Sequence, residues 1–348
     1  MTAQHMPSPQ AVRECIHDSL HHLSFPKEER KKQVAFYGGS FTSMNHEVQI
    51  SYLSEVQPFI SSGMIDSIRL STRPDGLSEE TLTLLKGYGV KTIEVGVQSM
   101  VDDVLLRSER GHTAKDSSSA ILRLKERGFE VGVHLMVGLP GDSCDQFLNS
   151  LDQIINLKPN FVRIHPTLVL KGTTMEELWK LGEYSPLTLE EAIQWLKKGV
   201  LQLEKASIPI ARIGLQPTKE LEENLLAGPF HPALHQLVES ALFYDMAEVL
   251  LQKYLDGARA VLICHPKDLS NLKGQKNTNL ITLKERFGLQ DLRIEENKEV
   301  RRGSLLLKTS SEISCLDRME LADSDINRGL KRACSLREDP IVPDHPLN

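Results

Sequence analysis

Short apolar segments that end in polar side chains recur along most of this chain. In the segment Ile68–Asp75, an apolar run gives way to three polar side chains and stops at Pro74, which cannot donate a hydrogen bond to a neighbouring strand. The same pattern recurs at Val34–Phe36, Thr92–Val97, Val131–Val137, Phe161–Ile164 and Pro209–Ile213. Helical segments lie between these runs, and strands that alternate with helices predict a parallel sheet. Because the chemistry of such sheets collects at the carboxyl ends of the strands, we expect one rim of polar loops.

The helical segments carry ordinary start signals. Ser8 is a candidate N-cap for an amphipathic helix over roughly Pro9–Leu23. Ser78, Thr113 and Thr188 are candidate caps of later helices. The chain thus starts on a helix with no strand before it, and six strands are too few for a closed eight-stranded barrel. Crossovers of this kind are right-handed, so we predict an α/β fold: an open, partial parallel (β/α)6-type TIM-like barrel that lacks its first strand.

The pattern changes beyond Gly228-Pro229. A long helix, a strand and further short elements between His231 and Leu307 predict a small C-terminal α/β domain. We assign residues 1–225 to the partial barrel and residues 226–308 to the small domain. From Thr309 onward the periodicity is weak, so residues 309–348 are predicted to form a disordered tail.

Composition argues against several classes of protein. The 348 residues carry a net charge of −6, and no apolar run approaches the roughly 20 residues of a membrane span. The start of the chain lacks the apolar region of a secretory signal. The five cysteines are scattered and never spaced Cys-x-x-Cys, which indicates free thiols and a cytoplasmic location. No contact with a membrane is therefore expected.

One stretch of the chain is locally basic. Between Lys253 and Lys308 there are twelve Lys/Arg against seven Asp/Glu. A solvated basic face is the simplest interpretation, and contact with RNA phosphates is the alternative.

Two common ligand motifs are missing from the sequence. No Gly-x-x-x-x-Gly-Lys-Ser/Thr loop occurs, which argues against a nucleoside-triphosphate site of that type. Cysteine and histidine residues are not clustered at the spacing of metal ligands. We therefore assign no metal ligand.

The polar ends of the first strands are candidates for a ligand site. The turn Gly38–Ser40 follows a strand and lets the backbone approach a ligand closely, although a tight turn alone would also use glycine. Ser71 and Thr72 could hydrogen-bond to ribose hydroxyls. Arg73 could pair with a ligand carboxylate, or it could brace the loop by pairing with Asp75.

Later strand ends add further candidates. Gln98 stands where a strand turns polar and could bind amide or hydroxyl groups. Arg110 and His112 precede a helix N-terminus, a natural anion site, although a lone histidine is more often structural. The loop Gly138–Asp142 could let an adenine ring lie on its backbone, but its sequence also suits a simple turn.

Taken together, these motifs resemble the radical S-adenosylmethionine (radical SAM) enzymes, in particular the branch that contains the Elongator catalytic subunit. The runs that carry the resemblance are Tyr37–Phe41, Thr72–Asp75, Gly96–Ser99, Ser108–Thr113 and Pro166–Thr173. The likeness spans roughly Pro9–Thr218. It implies an enzyme that binds S-adenosylmethionine and a 4Fe–4S cluster, receives an electron from a donor and generates a 5′-deoxyadenosyl radical.

The resemblance also implies a cofactor-binding set at the strand ends. The methionine amino group would meet Gly38, Gly39 and Ser40, and the ribose would face Ser71 and Thr72, with Arg73 beside them. The methionine moiety would also contact Gln98 and Arg110, and the adenine would lie beside Gly138, Leu139 and Pro140. Ser40 stands where most of the family has an acidic residue.

One departure from the family dominates. The family's Cys-x-x-x-Cys-x-x-Cys loop, which holds three irons of the cluster, does not occur in the 348 residues. In the family it follows the first strand, just upstream of where this chain starts, so the missing strand and the missing cysteines are one absence. Because iron–sulfur ligation needs thiolates, we expect an N-terminally truncated enzyme that is inactive as it stands.

Three hypotheses on function follow. The first is a radical SAM enzyme core that, in an intact form, modifies an unknown substrate, with tRNA suggested only by the Elongator likeness. The second is a non-catalytic paralogue that binds S-adenosylmethionine or RNA for a partner. The third is a conventional barrel enzyme that uses Glu94, His134 or His165 for acid–base chemistry.

Overall fold

The structure is a computed structural model that describes residues 7–22, 31–252, 259–310 and 312–323. The chain divides into two units, one of Met1–Ala192 with Ala206–Pro232 and one of Ile193–Lys205 with Ala233–Asn348. The predicted boundary after residue 225 therefore lies before the observed one. Residues 193–205, which we assigned to the barrel from the sequence, belong to the second unit. In that unit the buried Lys197 pairs with Asp245 at 2.5 Å.

The prediction of an open parallel sheet is confirmed. The strands of the first unit are β1 (Gln33–Phe36), β2 (Ser67–Thr72), β3 (Val90–Gln98), β4 (Glu130–Val137), β5 (Phe161–Pro166), β6 (Val169–Leu170), β7 (Ile210–Ile213) and β8 (Leu225–Ala227). Six of them form one sheet in the order β1-β2-β3-β4-β5-β7, with every neighbouring pair parallel. The short β6 and β8, which the sequence pattern did not indicate, form a separate antiparallel pair. Among the described residues, β1 has a sheet partner on one side only.

The helices up to residue 224 are α1 (Pro9–His22), α2 (His46–Ser61), α3 (Glu79–Gly87), α4 (Asp102–Arg107), α5 (Ala114–Glu126), α6 (Cys144–Leu157), α7 (Thr174–Lys180), α8 (Leu189–Lys205) and α9 (Lys219–Asn224). Four of them, α1, α3, α5 and α8, begin directly after a cap that the sequence predicted. Ser8 and Ser78 accept hydrogen bonds from the first turns of α1 and α3. Thr113 forms a capping box with Asp116 at the start of α5. These bonds satisfy amide groups that the helix itself leaves without partners.

The two faces of the six-stranded sheet differ in polarity. Successive side chains of a strand point to opposite faces, and those of one face, such as Leu70, Val95 and Val133, are fully buried. The other, which we call the concave face, carries polar side chains of the strands or the positions just beyond them: Tyr37, Arg69, Glu94, His134, Arg163, His165 and Arg212. The curl of the sheet shows in one contact, because Arg163 Nη2 on β5 lies 3.3 Å from the Tyr37 hydroxyl beside β1 although three strands separate them.

The second unit is a smaller α/β structure. Its remaining elements are α10 (Leu234–Gln252), β9 (Arg259–Cys264), α11 (Leu269–Lys273), α12 (Thr278–Arg286), β10 (Asp291–Glu296), β11 (Ser304–Lys308), β12 (Ile313–Asp317) and α13 (Arg318–Asp323). Four strands form one mixed sheet in the order β10-β9-β11-β12. No helix in the described part of the chain has the length and the apolar content that crossing a membrane requires.

The expectation of a disordered tail from Thr309 is wrong for the residues described up to 323. Strand β12 pairs antiparallel with β11 along its whole length. The helix after it is held by Arg318, whose guanidinium contacts Glu239 at 2.9 Å. A short edge strand with half-exposed side chains gives little periodicity, so its order depends on contacts distant in sequence. The rest of the predicted tail, residues 324–348, lies outside the described residues.

Candidate functional site

A polar cavity of about 280 Å³ lies at the carboxyl ends of β1 to β4. It is lined by seven of the predicted site residues, Gly39, Ser40, Ser71, Thr72, Arg73, Gln98 and Arg110, together with Gly96, His112 and His134. Polar groups that follow different strands are therefore gathered in one place, as expected for the carboxyl edge of a parallel sheet.

A larger cavity of about 550 Å³ lies on the other side of the glycine turn and includes Gly38, Phe36, Phe41 and Tyr52 in its wall. The side chains described along its wall carry no charge. A cofactor with an ammonium and a carboxylate needs charged and hydrogen-bonding partners. The polar cavity is therefore the better candidate for the cofactor site, although it is the smaller of the two.

Hydroxyl groups hold the glycine turn against the end of β2. Ser40 Oγ lies 3.2 Å from Thr72 Oγ1 and accepts the backbone N–H of Arg73 at 3.2 Å. Ser71 Oγ donates to the carbonyl of Gly39 at 3.3 Å. The turn and the predicted ribose-facing residues thus form one connected structure.

The backbone of the glycine turn is open on the side away from these contacts. Gly38 has φ of +109°, a conformation that residues with a side chain rarely adopt. A Cβ atom built on Gly38 or Gly39 would meet no atom within 4 Å. The backbone therefore leaves room for a close approach, and the predicted contact with a ligand stays a prediction.

Arg73 takes the structural role that the sequence left open. Its Nε and Nη2 donate to the two carboxylate oxygens of Asp75 at 2.9 and 2.8 Å. The hydrogen bond and charge of Arg73 lower the pKa of Asp75 below its usual value. The guanidinium lines the cavity, but its bidentate face is already occupied.

Gln98 stands at the end of β3 in a strained backbone conformation. Its φ is +68°, in the left-handed region, and the register between β3 and β4 shifts between Val95 and Gln98. Such a conformation costs of order 1–3 kcal/mol in a residue other than glycine and tends to persist at functional sites. Gly96 makes room for the turn, because a Cβ there would come within 2.9 Å of Gln98 Nε2.

Arg110 and His112 bring two buried polar atoms without partners to the cavity. Arg110 Nη2 contacts Met136 Sδ at 2.9 Å, but its buried Nε has no hydrogen-bond partner among the described residues. Burial, together with the charge of Arg73, lowers the pKa of Arg110. His112 Nε2 lies 3.2 Å from the carbonyl of Val97, and its buried Nδ1 likewise has no partner in the described part of the chain. Since buried polar atoms are normally satisfied, both point to a ligand in the cavity.

The loop Gly138–Asp142 does not line the polar cavity, so the adenine-side role of Gly138, Leu139 and Pro140 stays a prediction. The Tyr184 hydroxyl donates to the Gly138 carbonyl at 2.6 Å, and the Gly138 N–H donates to Asp142 at 3.1 Å. Both backbone groups of Gly138 thus already have protein partners, and Leu139 is buried. Burial raises the pKa of Asp142 to about 7.

A charged cluster lies on the concave face around Glu94. This carboxylate has no solvent exposure and accepts the Tyr37 hydroxyl at 2.6 Å. It also contacts Arg163 Nε at 2.8 Å, Arg69 Nε at 3.4 Å and His134 Nε2. Burial alone would raise the pKa of Glu94, but hydrogen bonds from His134 and Tyr37 bring it below its usual value. Glu94 is therefore an ionised anchor for cations.

The structure does bring together the three residues of the acid–base hypothesis. His134 contacts Glu94, and its ring stacks edge-on against His165 at 5.3 Å between centroids. Burial and neighbouring cations lower the pKa of His165 to about 4, so this histidine is neutral near pH 7. The arginines and the tyrosine of the cluster were not identified from the sequence, although their alternation with apolar residues in the strands was a usable signal.

The described cysteines do not form a cluster site. Cys15, Cys144, Cys264 and Cys315 lie on four separate elements. Within the described residues, no group of three or more His, Cys, Asp or Glu side chains is arranged to hold a metal ion. The described residues thus include no set of thiolates that would fit a 4Fe–4S cluster. The polar cavity offers a ligand the open backbone at Gly39 and two unpartnered polar atoms.

Comparisons with known proteins show what this chain is similar to. The relatives include the tRNA uridine(34) acetyltransferase of Methanocaldococcus infernus, which is 34% identical over 176 residues, 49% of this chain and 33% of that protein. Elongator complex protein 3 of Homo sapiens is 34% identical over 132 residues, 36% of this chain and 24% of that protein. The matched part of this chain thus spans a third or less of these relatives.

A solved structure and two family models complete the comparison. The archaeal Methanocaldococcus infernus Elp3 with an N-terminal deletion superposes with a TM-score of 0.59 at 26% identity, over 68% of this chain and 61% of that one. A model of the radical SAM superfamily matches residues 21–154, and one of the radical SAM C-terminal domain matches residues 159–243. Together they cover more than half of the sequence. The chain therefore belongs to the radical SAM superfamily.

Proposed function

We propose that the polar cavity binds S-adenosylmethionine and that the chain is the core of a radical SAM enzyme that acts on tRNA. The observation that carries the cofactor assignment is the pair of buried, unpartnered polar atoms at Arg110 and His112. Arg110 Nε would donate to the methionine carboxylate, and His112 Nδ1 would accept from a ligand donor. Gln98 completes this side of the site.

The glycine turn and the end of β2 would hold the rest of the cofactor. The open backbone at Gly38 and Gly39 suits the methionine amino group, and the hydroxyls of Ser71 and Thr72 suit the ribose. Arg73 would act mainly by bracing the loop through Asp75. In this superfamily, S-adenosylmethionine bound to a cluster supplies a 5′-deoxyadenosyl radical. The residues of this chain bind and orient the cofactor and keep it in a desolvated cavity.

A titration of the chain with S-adenosylmethionine tests the cofactor assignment. The variant Arg110→Gln should weaken binding roughly 10- to 100-fold, because a hydrogen bond to a charged group contributes about 1.5–3 kcal/mol. Arg293→Gln is a matched control, since Arg293 is exposed in the second unit and pairs with Asp291. Calorimetry reports both affinities, and equal affinities for Arg110→Gln and the parent chain would refute the assignment.

The chain as it stands would bind the cofactor without cleaving it. This follows from the absence of a Cys-x-x-x-Cys-x-x-Cys loop in the sequence and from the scattered thiols. Incubation with iron and sulfide should therefore leave the chain without the absorbance of a 4Fe–4S cluster and without 5′-deoxyadenosine formation. Cofactor binding without cleavage is also what the alternative function, a non-catalytic S-adenosylmethionine- or RNA-binding paralogue, requires.

The tRNA substrate is proposed from relatives whose names state that they act on tRNA. A cytoplasmic location, which we also propose, fits both this substrate and the free thiols. A gel-shift titration with tRNA, with and without S-adenosylmethionine, tests the partner. Absence of any shift at micromolar protein in low salt, where phosphate contacts are strongest, would remove the proposal.

A further inference from the structure

We propose that the concave face holds an anion site, centred on Arg163 and Arg212 beside the cofactor cavity, that takes a phosphate group of the substrate. The link to the substrate rests on the proposed function, whereas the anion site itself does not. The argument starts from the register of three neighbouring strands.

Strands β4, β5 and β7 place three basic side chains in one row. His134 is the register partner of Arg163, and Arg163 is the partner of Arg212. Partners on neighbouring parallel strands point to the same face, so these side chains lie next to one another. Like charges directly opposite each other in a sheet are destabilising, and a row of this kind needs a compensating negative charge.

The protein supplies less negative charge than the row requires. Arg69 and Arg163 share the single carboxylate of Glu94. Among the described residues, Arg212 has no carboxylate partner, and its Nη1 donates instead to the neutral side-chain oxygen of Gln216 at 2.8 Å. Arg69, Arg163 and Arg212 set against Glu94 therefore carry a formal charge of +2.

The row is placed where a ligand can reach it. The side chains of Arg69 and Arg163 are 22% and 19% exposed, and the ring of Tyr37, half exposed, lies under the Arg163 guanidinium at 5.7 Å. In a closed barrel this interior would be filled with apolar layers. Here the interior is polar and accessible, which is the character of a binding face.

The row shares one residue with the wall of the cofactor cavity. His134 lines that cavity and is also the first member of the row. Arg163 and Arg212 do not line it. A substrate phosphate held by the two arginines would thus lie beside the cofactor. Arginine is suited to this role because its planar fork matches phosphate oxygens in a bidentate manner.

Titration with inorganic phosphate, followed by calorimetry, tests the site on the full chain. The parent chain should bind phosphate at millimolar concentration, and Arg212→Gln should weaken that binding about tenfold or more. Arg293→Gln, which removes an exposed arginine of the second unit, should leave it unchanged. Unchanged phosphate affinity in Arg212→Gln, or no phosphate binding by the parent chain, would overturn the proposal.

Two further measurements separate the anion site from the cofactor site. The affinity for S-adenosylmethionine should be equal in Arg212→Gln and the parent chain, and an equal loss for both ligands would overturn the separate site. Arg212→Lys, which keeps the charge but loses the fork, should recover only part of the phosphate affinity. Competition by a short RNA against phosphate would identify a nucleic-acid phosphodiester as the source, and competition only by small phosphate esters would identify a small substrate at the same site.

Discussion

Two charged clusters of this protein, one on the concave face and one in the second unit, differ in how their charges balance. On the concave face, Arg69 and Arg163 contact the carboxylate of Glu94, while Arg212 has no carboxylate partner among the described residues. In the second unit, one arginine, Arg318, contacts two carboxylates: Glu204 at 3.0 Å and Glu239 at 2.9 Å. The cluster on the concave face has more positive than negative charge, whereas the cluster around Arg318 does not. The difference indicates a ligand for the first and a structural role for the second.

This comparison also shows how misleading local composition can be. The stretch Lys253–Lys308 has more Lys and Arg residues than Asp and Glu residues. Yet its Arg302 is bound to Asp268 at 2.8 Å, and its Arg286 is paired with Glu248. Composition counts charges but not their partners. The unpaired positive charge lies instead on strands whose composition is unremarkable.

The largest expected effect on stability comes from the cluster around Arg318 in the second unit. Arg318→Gln should lower the free energy of unfolding by about 3 kcal/mol, because it leaves two partly buried carboxylates without their cation. Arg301→Gln, at an arginine 79% exposed and 3.5 Å from Asp317, should change stability little. Urea unfolding measures both. Equal effects of the two changes would break the distinction between a buried and an exposed pair.

The next largest effect on stability concerns the cluster around Glu94 on the concave face. Glu94→Gln should destabilise the first unit by roughly 1–3 kcal/mol, since it leaves Arg69 and Arg163 without their counter-charge. Added phosphate should restore part of this loss, because the anion replaces the missing carboxylate. The same phosphate should not rescue Arg318→Gln, which lacks a cation rather than an anion. Thermal unfolding with and without phosphate makes the comparison, and rescue of both variants would contradict it.

A third buried carboxyl group sharpens the comparison through its pH dependence. Asp142 accepts backbone amides of Gly138 and Ser143, and burial raises its pKa to about 7. The folded state therefore keeps the proton that the unfolded state loses near pH 4, so this group's contribution to stability falls as pH rises toward 7. Asp142→Asn should remove roughly 1–2 kcal/mol of the decline between pH 5 and pH 8, since one pKa unit corresponds to about 1.4 kcal/mol. Urea unfolding at several pH values measures it, and an unchanged slope would contradict the raised pKa.

The smallest effect concerns the basic stretch itself. Lys276 is exposed in a turn before α12. If that face is only solvated, Lys276→Gln should reduce affinity for tRNA by less than about threefold, well below the loss of one strong phosphate contact. A gel-shift titration at two salt concentrations measures the change. A large loss would move the RNA contact from the concave face to the second unit.

The sequence predicted the six strands, their order along the chain and several helix caps, because these depend on contacts within a few residues. It also predicted most of the polar rim, since the residues after successive parallel strands meet at one edge. It missed the conformation of Gln98 and the partners of Glu94. A strained φ has no signature in a single sequence, and ion pairs between strands depend on register and curl.

Two site predictions show where local signals stopped. The sequence allowed Arg73 to pair either with a ligand or with Asp75. The structure shows that its guanidinium donates to both carboxylate oxygens of Asp75. The loop after β4 reads equally well as a ligand loop or a turn, and the Tyr184 hydroxyl bonded to Gly138 is contributed by a segment 46 residues away. The partner of a polar atom depends on which groups the fold brings next to it. Spacing along the chain carries no information about those groups.

The alternation of strands and helices, fixed by local hydrophobic pattern, determined that this chain builds a parallel sheet with a polar edge. The tertiary structure alone decided which charges on that sheet are neutralised and which are not. The reason is that side-chain direction follows from the two-residue repeat of a strand, whereas charge balance follows from neighbours on other strands. Arg163 and Arg212 are 49 positions apart in the chain and become adjacent only through the register of β5 with β7.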